Sequence, residues 1–139
     1  MDGSSKYARR GRMVERRQFP RCSVSLPIQV RTEGGKSLEV RALNLSHGGI
    51  ELGCGPSTAS EIVPALYHAH PSTTPPINMR LRLPVADGSE ASFDCRGTVV
   101  ALRRLSQEEY RISVQFLELT EDMQHDLFRY LEQCTQARR

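Results

Sequence analysis

Apolar residues at every second position are the feature of this 139-residue chain that most restricts its fold. The alternation runs through Leu26–Val30, Leu38–Ala42, Met79–Val85, Phe93–Val99 and Tyr110–Phe116, and a further short segment begins near Ile50. A period of two places one face of a strand against a core and the other in solvent. Turn sequences at Glu33–Lys36 and Ala86–Ser89 connect these segments, so the pattern predicts six antiparallel strands in a barrel or a sandwich.

The apolar period changes from two to the helical value at Thr120. Thr120 is a candidate N-cap, and the acidic residues Glu121 and Asp122 suit the positive end of a helix. The helical stripe consists of Met123, Leu127, Tyr130, Leu131 and Cys134. Its simplest interpretation is packing against the sheet, and a partner-binding face is the alternative. The sequence therefore predicts an all-β domain with a C-terminal helix.

Two segments depart from these patterns. Residues 1–14 have no hydrophobic periodicity and are expected to form a flexible basic arm, followed by one folded domain at 15–136. Within that domain, residues 53–76 form a long connection rich in Pro, Ser and Thr, in which Ile62–Leu66 has the pattern of a brief helical turn. Loops of this length are either functional or disordered, and the sequence does not choose between a partner-specific element and a tolerated insertion.

The charge is concentrated at the start of the chain. Residues 1–21 hold seven basic and two acidic side chains, a net charge of +5, whereas the whole chain carries +3. No apolar run approaches the ~20 residues of a membrane span, and no signal-peptide pattern follows Met1. We therefore expect a cytoplasmic protein without membrane insertion. The four cysteines form no CxxC pair, which favours reduced thiols over a disulfide framework.

Motifs for catalysis and metal binding have little support. The chain has no Walker-type loop, no GxGxxG and no GxSxG around Ser46. His68 and His70, with Cys54, are a conceivable metal cluster, but no fourth ligand has familiar spacing and solvated histidines are the simpler interpretation. We expect no enzyme activity, no metal and no cofactor.

A pair of arginines and a glycine-containing turn are the strongest candidates for binding. Arg17 and Arg21 lie four residues apart, and guanidinium groups suit phosphate oxygens and the O6/N7 edge of guanine. The turn Asn44–Gly49 adds an amide, a hydroxyl and glycines that let a ligand approach the backbone. Together they favour an anionic ligand that also carries purine edges, which is a nucleotide.

At these positions the chain resembles the PilZ family of bacterial receptors for cyclic di-GMP. The family signature is RxxxR followed by [DN]xSxxG, and it is matched by Arg17–Arg21 and by Asn44–Gly49. Arg12 and Arg16 form a second RxxxR, but the register at Arg17 leads directly into the first strand. The resemblance extends over about Glu15–Gln133. It implies a six-stranded antiparallel PilZ-type β-barrel in a stand-alone domain.

The resemblance also implies roles for individual residues. Arg17 and Arg21 would contact phosphate and guanine, Asn44 and Ser46 would bind guanine edges, and Gly49 would supply backbone room or a positive φ. The alternatives are that Asn44 and Ser46 stabilise their own turn and that the arginines form surface salt bridges. Asn44 stands where Asp is commoner, so its guanine contact should be weaker.

Two further positions bear on the ligand that the resemblance implies. Arg16 directly precedes the motif, as in members that bind an intercalated cyclic di-GMP dimer, which favours two ligands per domain. Ala101 occupies a position at which some relatives place an aromatic residue that packs on the ligand, so one stacking contact is expected to be absent.

The expected function is that of a cyclic di-GMP receptor or adaptor. Ligand phosphates would neutralise the basic arm, fold it over the barrel and change the surface that a monomer offers to a downstream protein. The first alternative is a degenerate PilZ module that binds protein independently of nucleotide. The second, a nucleic-acid binder, is disfavoured because four Tyr, four Phe and no Trp provide few stacking platforms.

Overall fold

The computed structural model describes residues 22–64, 75–84 and 88–137, with side chains up to residue 134. The predicted arm at 1–14 and the start of the folded domain at residue 15 lie outside these ranges. The elements in chain order are β1 (Cys22–Arg31), β2 (Ser37–Leu45), β3 (Gly49–Cys54), α1 (Pro56–Ile62), β4 (Ile77–Pro84), β5 (Glu90–Arg104), β6 (Tyr110–Leu117) and α2 (Glu121–Ala137). The predicted six strands and terminal helix are confirmed.

The six strands form a closed antiparallel barrel in the order β1-β2-β3-β6-β5-β4. This resolves the choice between barrel and sandwich. The alternation fills the inside of the barrel: β4 buries every second residue from Ile77 to Leu83, and the residues between them face outward. The interior consists mainly of aliphatic side chains from all six strands, together with Phe93 and Tyr110, in one continuous cluster.

Bulges in β2 and β5 reverse the inward and outward phase of each strand. In β2, Ala42 pairs with Leu52 and Asn44 pairs with Glu51, which leaves Leu43 as the extra residue. Ala42 and Leu45 are both buried, although their spacing of three residues does not fit an uninterrupted strand. The bulge therefore allows Leu45 to enter the core while Asn44 remains on the outer face.

The bulge in β5, the strand that pairs with β6, has the same effect. Val99 pairs with Val114 and Ala101 pairs with Ser113, so Val100 is the extra residue. Val99 is fully buried, whereas Val100 is 47% exposed. Both bulges lie at the same end of the β2–β3–β6–β5 surface, where they change which side chains reach its outer face.

The two helices cover the barrel with short apolar faces. Helix α1 has Pro56 in its first turn and buries Ala59 and Ile62. The brief helical turn expected at Ile62–Leu66 is therefore misplaced, because the buried pair Ala59 and Ile62 stabilises a helix that precedes it. Residues 65–74 of the predicted connection lie outside the described ranges.

Helix α2 begins where the sequence predicts. The Oγ1 of Thr120 accepts a hydrogen bond from the backbone N–H of Met123 at 3.2 Å, which is the geometry of an N-cap. Leu127 and Leu131 are almost completely buried in the barrel cluster. The helix contacts β1 and β4, so the interpretation of its apolar stripe as core packing is confirmed.

A disulfide joins the start of the barrel to the end of the chain. Cys22, the first residue of β1, is bonded to Cys134 of α2, with their Cα atoms 6.2 Å apart and a sequence separation of 112. The expectation of reduced thiols is wrong for this pair, because proximity created by the fold is not visible in sequence spacing. Cys54 and Cys95 are free thiols.

The pairing between β1 and β4 closes the barrel and is short. Only Gln29–Arg31 of β1 pair with Asn78–Arg80 of β4, whereas β4 and β5 pair over eight positions, from Ile77 to Pro84. Pro27 lies just beyond the paired stretch and has no N–H to donate. The two strands diverge from this point, and a surface groove of about 320 Å³ opens between them.

Candidate ligand-binding groove

A groove of about 380 Å³ lies where the turn between β2 and β3 meets the outer faces of β5 and β6. We call it the turn groove. Its polar lining comes from Asn44, Ser46, Glu51, Ser113 and Gln115, together with the backbone of Gly48 and Gly49. The groove is open to solvent on one side, so a ligand larger than its volume can occupy it in part.

Hydrogen bonds within the turn fix the position of Ser46. Its backbone N–H donates to the carbonyl oxygen of Gly49 at 3.0 Å, and its hydroxyl donates to the same oxygen at 3.3 Å. The N–H of Phe116 donates to the carbonyl of Gly48 at 2.9 Å, which ties the turn to β6. The turn is therefore held on two sides before any ligand binds.

Gly49 is the point of closest backbone approach in the turn. A Cβ atom at this position would overlap the carbonyl oxygen of Val114 and lie 3.3 Å from the Cα of Gln115. The positive-φ glycines among the described residues are Gly35 and Gly88. The turn consequently requires glycine at position 49 for space, not for its φ angle.

Asn44 and Glu51 form the polar centre of the turn groove. They are register partners on β2 and β3, and the Nδ2 of Asn44 donates to the Oε1 of Glu51 at 2.7 Å. Ser113 of β6 continues the same row, because it pairs with Glu51. The amide, carboxylate and hydroxyl therefore lie side by side on the outer surface.

Two arginines balance the charge of Glu51. The Nη1 of Arg111 is 3.7 Å from its Oε1, and the Nη2 of Arg103 is 3.7 Å from its Oε2. Arg111 is also bound to Glu109, with its Nη2 and Nε each 3.1 Å from Oε2. The Glu51 side chain is 20% exposed, so this carboxylate is partly shielded but still reachable from the groove.

Val100 provides apolar surface beside these polar groups. It lines the turn groove and is among the exposed large hydrophobic residues of the described chain. The neighbouring Ala101 is also exposed and pairs with Ser113. The apolar side chain therefore comes from the bulge residue and not from the position at which the resemblance places an aromatic.

The turn is also in contact with α2. The rings of His47 and Phe128 are 5.3 Å apart between centroids and tilted by 42°. Phe128 is nevertheless 46% exposed. A change in the position of the turn would therefore alter its contact with α2, the helix that also carries the disulfide-bonded Cys134.

The sequence-predicted binding residues divide into two groups. Asn44, Ser46 and Gly49 are brought together at the turn groove. Arg16, Arg17 and Arg21 lie outside the described residues.

Sequence reasoning missed Ser113 and Gln115 of β6, and it also missed Glu51 and Val100. The hairpin register Leu45–Ile50 would have placed Glu51 opposite Asn44. The adjacent valines at 99 and 100 interrupt the alternation and could have indicated the bulge.

The free thiols have no features of reactive sites. Burial raises the pKa of Cys54 to about 11. Burial and, secondarily, the neighbouring Asp94 carboxylate raise the pKa of Cys95 to about 11. In the parts of the chain that the structure describes, no group of three or more His, Cys, Asp or Glu is arranged to hold a metal ion. Among those same residues, no helix is both long and apolar enough to cross a membrane.

The fold matches several solved structures. The PilZ domain of Escherichia coli YcgR with c-di-GMP has a TM-score of 0.59 and 14% identity, covering 89% of this chain and 95% of that one. The Bacillus subtilis inhibitor of motility MotI/DgrA has a TM-score of 0.68 and 17% identity, covering 88% of this chain. The complex of K. pneumonia MrkH with c-di-GMP has a TM-score of 0.60 and 17% identity, covering 88% of this chain.

The extent of each match differs. The chain spans 52% of MotI/DgrA and 53% of MrkH. At these identities the likeness shows the fold. No curated protein sequence gives a significant match.

The chain is thus a small all-β domain, a six-stranded antiparallel barrel with a C-terminal helix. The sequence profile of the PilZ domain matches residues 15–133 of this chain. The chain belongs to the PilZ domain family.

Proposed function

We propose that this protein is a cyclic di-GMP receptor that binds its ligand between the turn groove and the arginine motif. The observation that carries the proposal is the pairing of Cys22 with Leu45 at the junction of β1 and β2. Leu45 lies between Asn44 and Ser46, so the residue that follows Arg21 in the chain is adjacent to the polar turn.

Covalent geometry then limits where the arginines can be. A chain extends by at most about 3.6 Å per residue, so the Cα of Arg17 lies within about 18 Å of the Cα of Cys22. An arginine side chain adds further reach. This limit allows one ligand to contact both halves of the signature, and the disulfide and the β1–β2 ladder hold Cys22, the point from which the arginine segment departs.

The charges and shapes of the two halves suit this ligand. The first 21 residues carry +5, which complements two phosphates, and guanidinium groups bind both phosphate oxygens and the guanine O6/N7 edge. The turn groove supplies the amide of Asn44 and the hydroxyl of Ser46 for base edges, and Val100 supplies apolar surface for a base. YcgR and MrkH, which share the fold, have been solved with c-di-GMP.

Calorimetric titration with cyclic di-GMP tests the proposal. Wild-type protein should bind, and Arg17→Ala or Arg21→Ala should each lose about 2–4 kcal/mol, which is about 30- to 1000-fold in affinity. Arg12→Ala is the matched control, because it removes an equal charge and disrupts the alternative RxxxR. Wild-type affinity in both motif variants, or an equal loss in Arg12→Ala, would refute the assignment of the motif.

Stoichiometry is the second part of the proposal. We propose two intercalated ligands per domain, with Arg16 contributing to the second molecule. Titration should then give two ligands per chain for wild type and fewer for Arg16→Ala at the same concentrations. A ratio of one in both proteins would assign a single ligand and leave Arg16 without this role.

The output is proposed to be a rearrangement of the basic arm that alters the surface offered to a downstream protein, with no catalysis. Neutralisation of the arginines by ligand phosphates would remove their mutual repulsion and allow ordering. Hydrogen exchange of residues 1–21 should then slow when cyclic di-GMP is added. Unchanged exchange with saturating ligand would favour the alternative of a nucleotide-independent interaction module.

A further inference from the structure

Glu51 is an acidic side chain in a groove proposed for a doubly anionic ligand, so its presence needs an explanation. An uncompensated carboxylate would repel phosphates. Its charge is balanced by Arg111 and Arg103, each 3.7 Å away, and its Oε1 accepts a hydrogen bond from Asn44 at 2.7 Å. The local charge is therefore not negative, and the carboxylate is held in one orientation by three neighbours.

The chemistry of guanine fits this carboxylate. The Watson–Crick edge of guanine presents two adjacent donors, N1–H and N2–H₂. A carboxylate is an acceptor-only group with about four lone-pair sites, of which Asn44 uses one. Hydrogen bonds from a neutral donor to an ionised acceptor are about twice as strong as neutral pairs. Adenine, with an unprotonated N1 at the same position, would place an acceptor against this group.

The geometry points to Glu51 as the residue that selects guanine in the turn groove. The inference deepens the proposed function and rests on it. Asn44 has replaced the aspartate that is commoner in the family signature, and the β2–β3 register places Glu51 directly opposite. The carboxylate lost at position 44 is thus supplied one strand away, and Asn44 becomes a positioning residue that orients Glu51 through its Nδ2.

The rival explanation is that Glu51 only holds Arg111 in place. Glu109 allows the two roles to be separated, because it binds the same guanidinium more closely, at 3.1 Å. Glu109 is not among the residues that line the turn groove. If Glu51 acts solely through Arg111, then removing the charge of Glu109 should have at least as large an effect on ligand binding.

The test compares cyclic di-GMP with cyclic di-inosine monophosphate by calorimetry. The inosine ligand keeps O6, N7 and N1–H and lacks only the 2-amino group, so contacts from arginines to the O6/N7 edge are retained. Wild type should bind cyclic di-GMP about 10- to 100-fold more tightly than the inosine ligand. Glu51→Gln should bind cyclic di-GMP more weakly and should reduce this preference to about threefold or less.

The variants are chosen to preserve the fold. Glu51→Gln keeps an oxygen that accepts from Asn44 but turns an N–H₂ group toward the guanine donors, and its thermal unfolding should match that of wild type within a few degrees. Glu109→Gln is the matched control and should keep the full preference for guanine over hypoxanthine.

The outcomes separate this inference from the proposed function. A full guanine preference in Glu51→Gln, or an equal loss in Glu109→Gln, would overturn the role of Glu51 while leaving cyclic di-GMP binding intact. Wild type that binds both ligands equally would also overturn it. Wild type that binds neither ligand would refute the proposed function, and the role of Glu51 would fall with it.

Discussion

Replacement of Gly49 by alanine should test whether the turn groove depends on close backbone packing. The added Cβ would overlap the carbonyl oxygen of Val114 and lie 3.3 Å from the Cα of Gln115. Both atoms belong to the backbone of β6, which is paired with β3 at this point. Neither can move aside by changing a rotamer, so the β3–β6 ladder itself must shift.

The size of the effect follows from the cost of overpacking. A methyl group forced into a well-packed region costs about 1–3 kcal/mol. For a domain of this length, 1 kcal/mol corresponds to roughly 3–4 °C in Tm, so Gly49→Ala should lower Tm by about 3–12 °C. Gly48→Ala provides the matched control, because a Cβ there would meet nothing within 4 Å.

Thermal unfolding followed by circular dichroism is the appropriate assay. The expected order is wild type close to Gly48→Ala, with Gly49→Ala clearly lower. Two results would refute the reasoning: a Tm of Gly49→Ala within 1–2 °C of wild type, or an equal decrease for both variants. The first would mean that the turn accommodates a methyl group at position 49, and the second that glycine is needed in the turn for flexibility.

Three further predictions concern charge, the disulfide and the half-buried thiol of Cys54. Asn44→Asp should lower the free energy of unfolding by about 1–3 kcal/mol at pH 8, because it removes the hydrogen bond that the Asn44 amide donates to Glu51 and places a second carboxylate beside it. Equal stability of the variant and wild type at pH 8 would contradict this. Cys22→Ser should lower the free energy of unfolding in denaturant by up to about 4–5 kcal/mol, given the 112-residue separation from Cys134, and added reductant should affect wild type but not the variant. Burial raises the pKa of Cys54 to about 11, so this thiol should resist alkylation at pH 8 in native protein and react in denaturant. Rapid labelling of native protein, measured by mass spectrometry, would contradict this, because it would show that the thiolate is accessible.

The strands and the terminal helix could be predicted because each buries residues at a regular interval along its sequence. The alternation from Ile77 to Leu83 is uninterrupted and its strand is correspondingly regular. Thr120 combines a capping side chain with acidic neighbours, and the helix begins directly after it. In these elements local preference and tertiary packing favour the same structure, so the sequence pattern is sufficient to predict the element.

The site was less predictable because its geometry depends on interruptions of the pattern. Bulges at Leu43 and Val100 decide which side chains reach the outer surface, and the sequence contains no strong signal for an extra residue in a strand. The signature identified Asn44 and Ser46, but Glu51 becomes relevant only once the register across the turn is known. The bond between Cys22 and Cys134 likewise depends on the packing of α2 against the barrel.

The short ladder between β1 and β4 has a consequence for self-association. A closed barrel has no edge strand, and here the closure between β1 and β4 depends on the pairing of Gln29–Arg31. If the β1–β4 pairing separates, both strands present unpaired amide and carbonyl groups, to which a strand of another molecule can add. Concentrated protein should therefore form an intermolecular sheet through β1 and β4 before the eight-position pairing of β4 with β5 is broken.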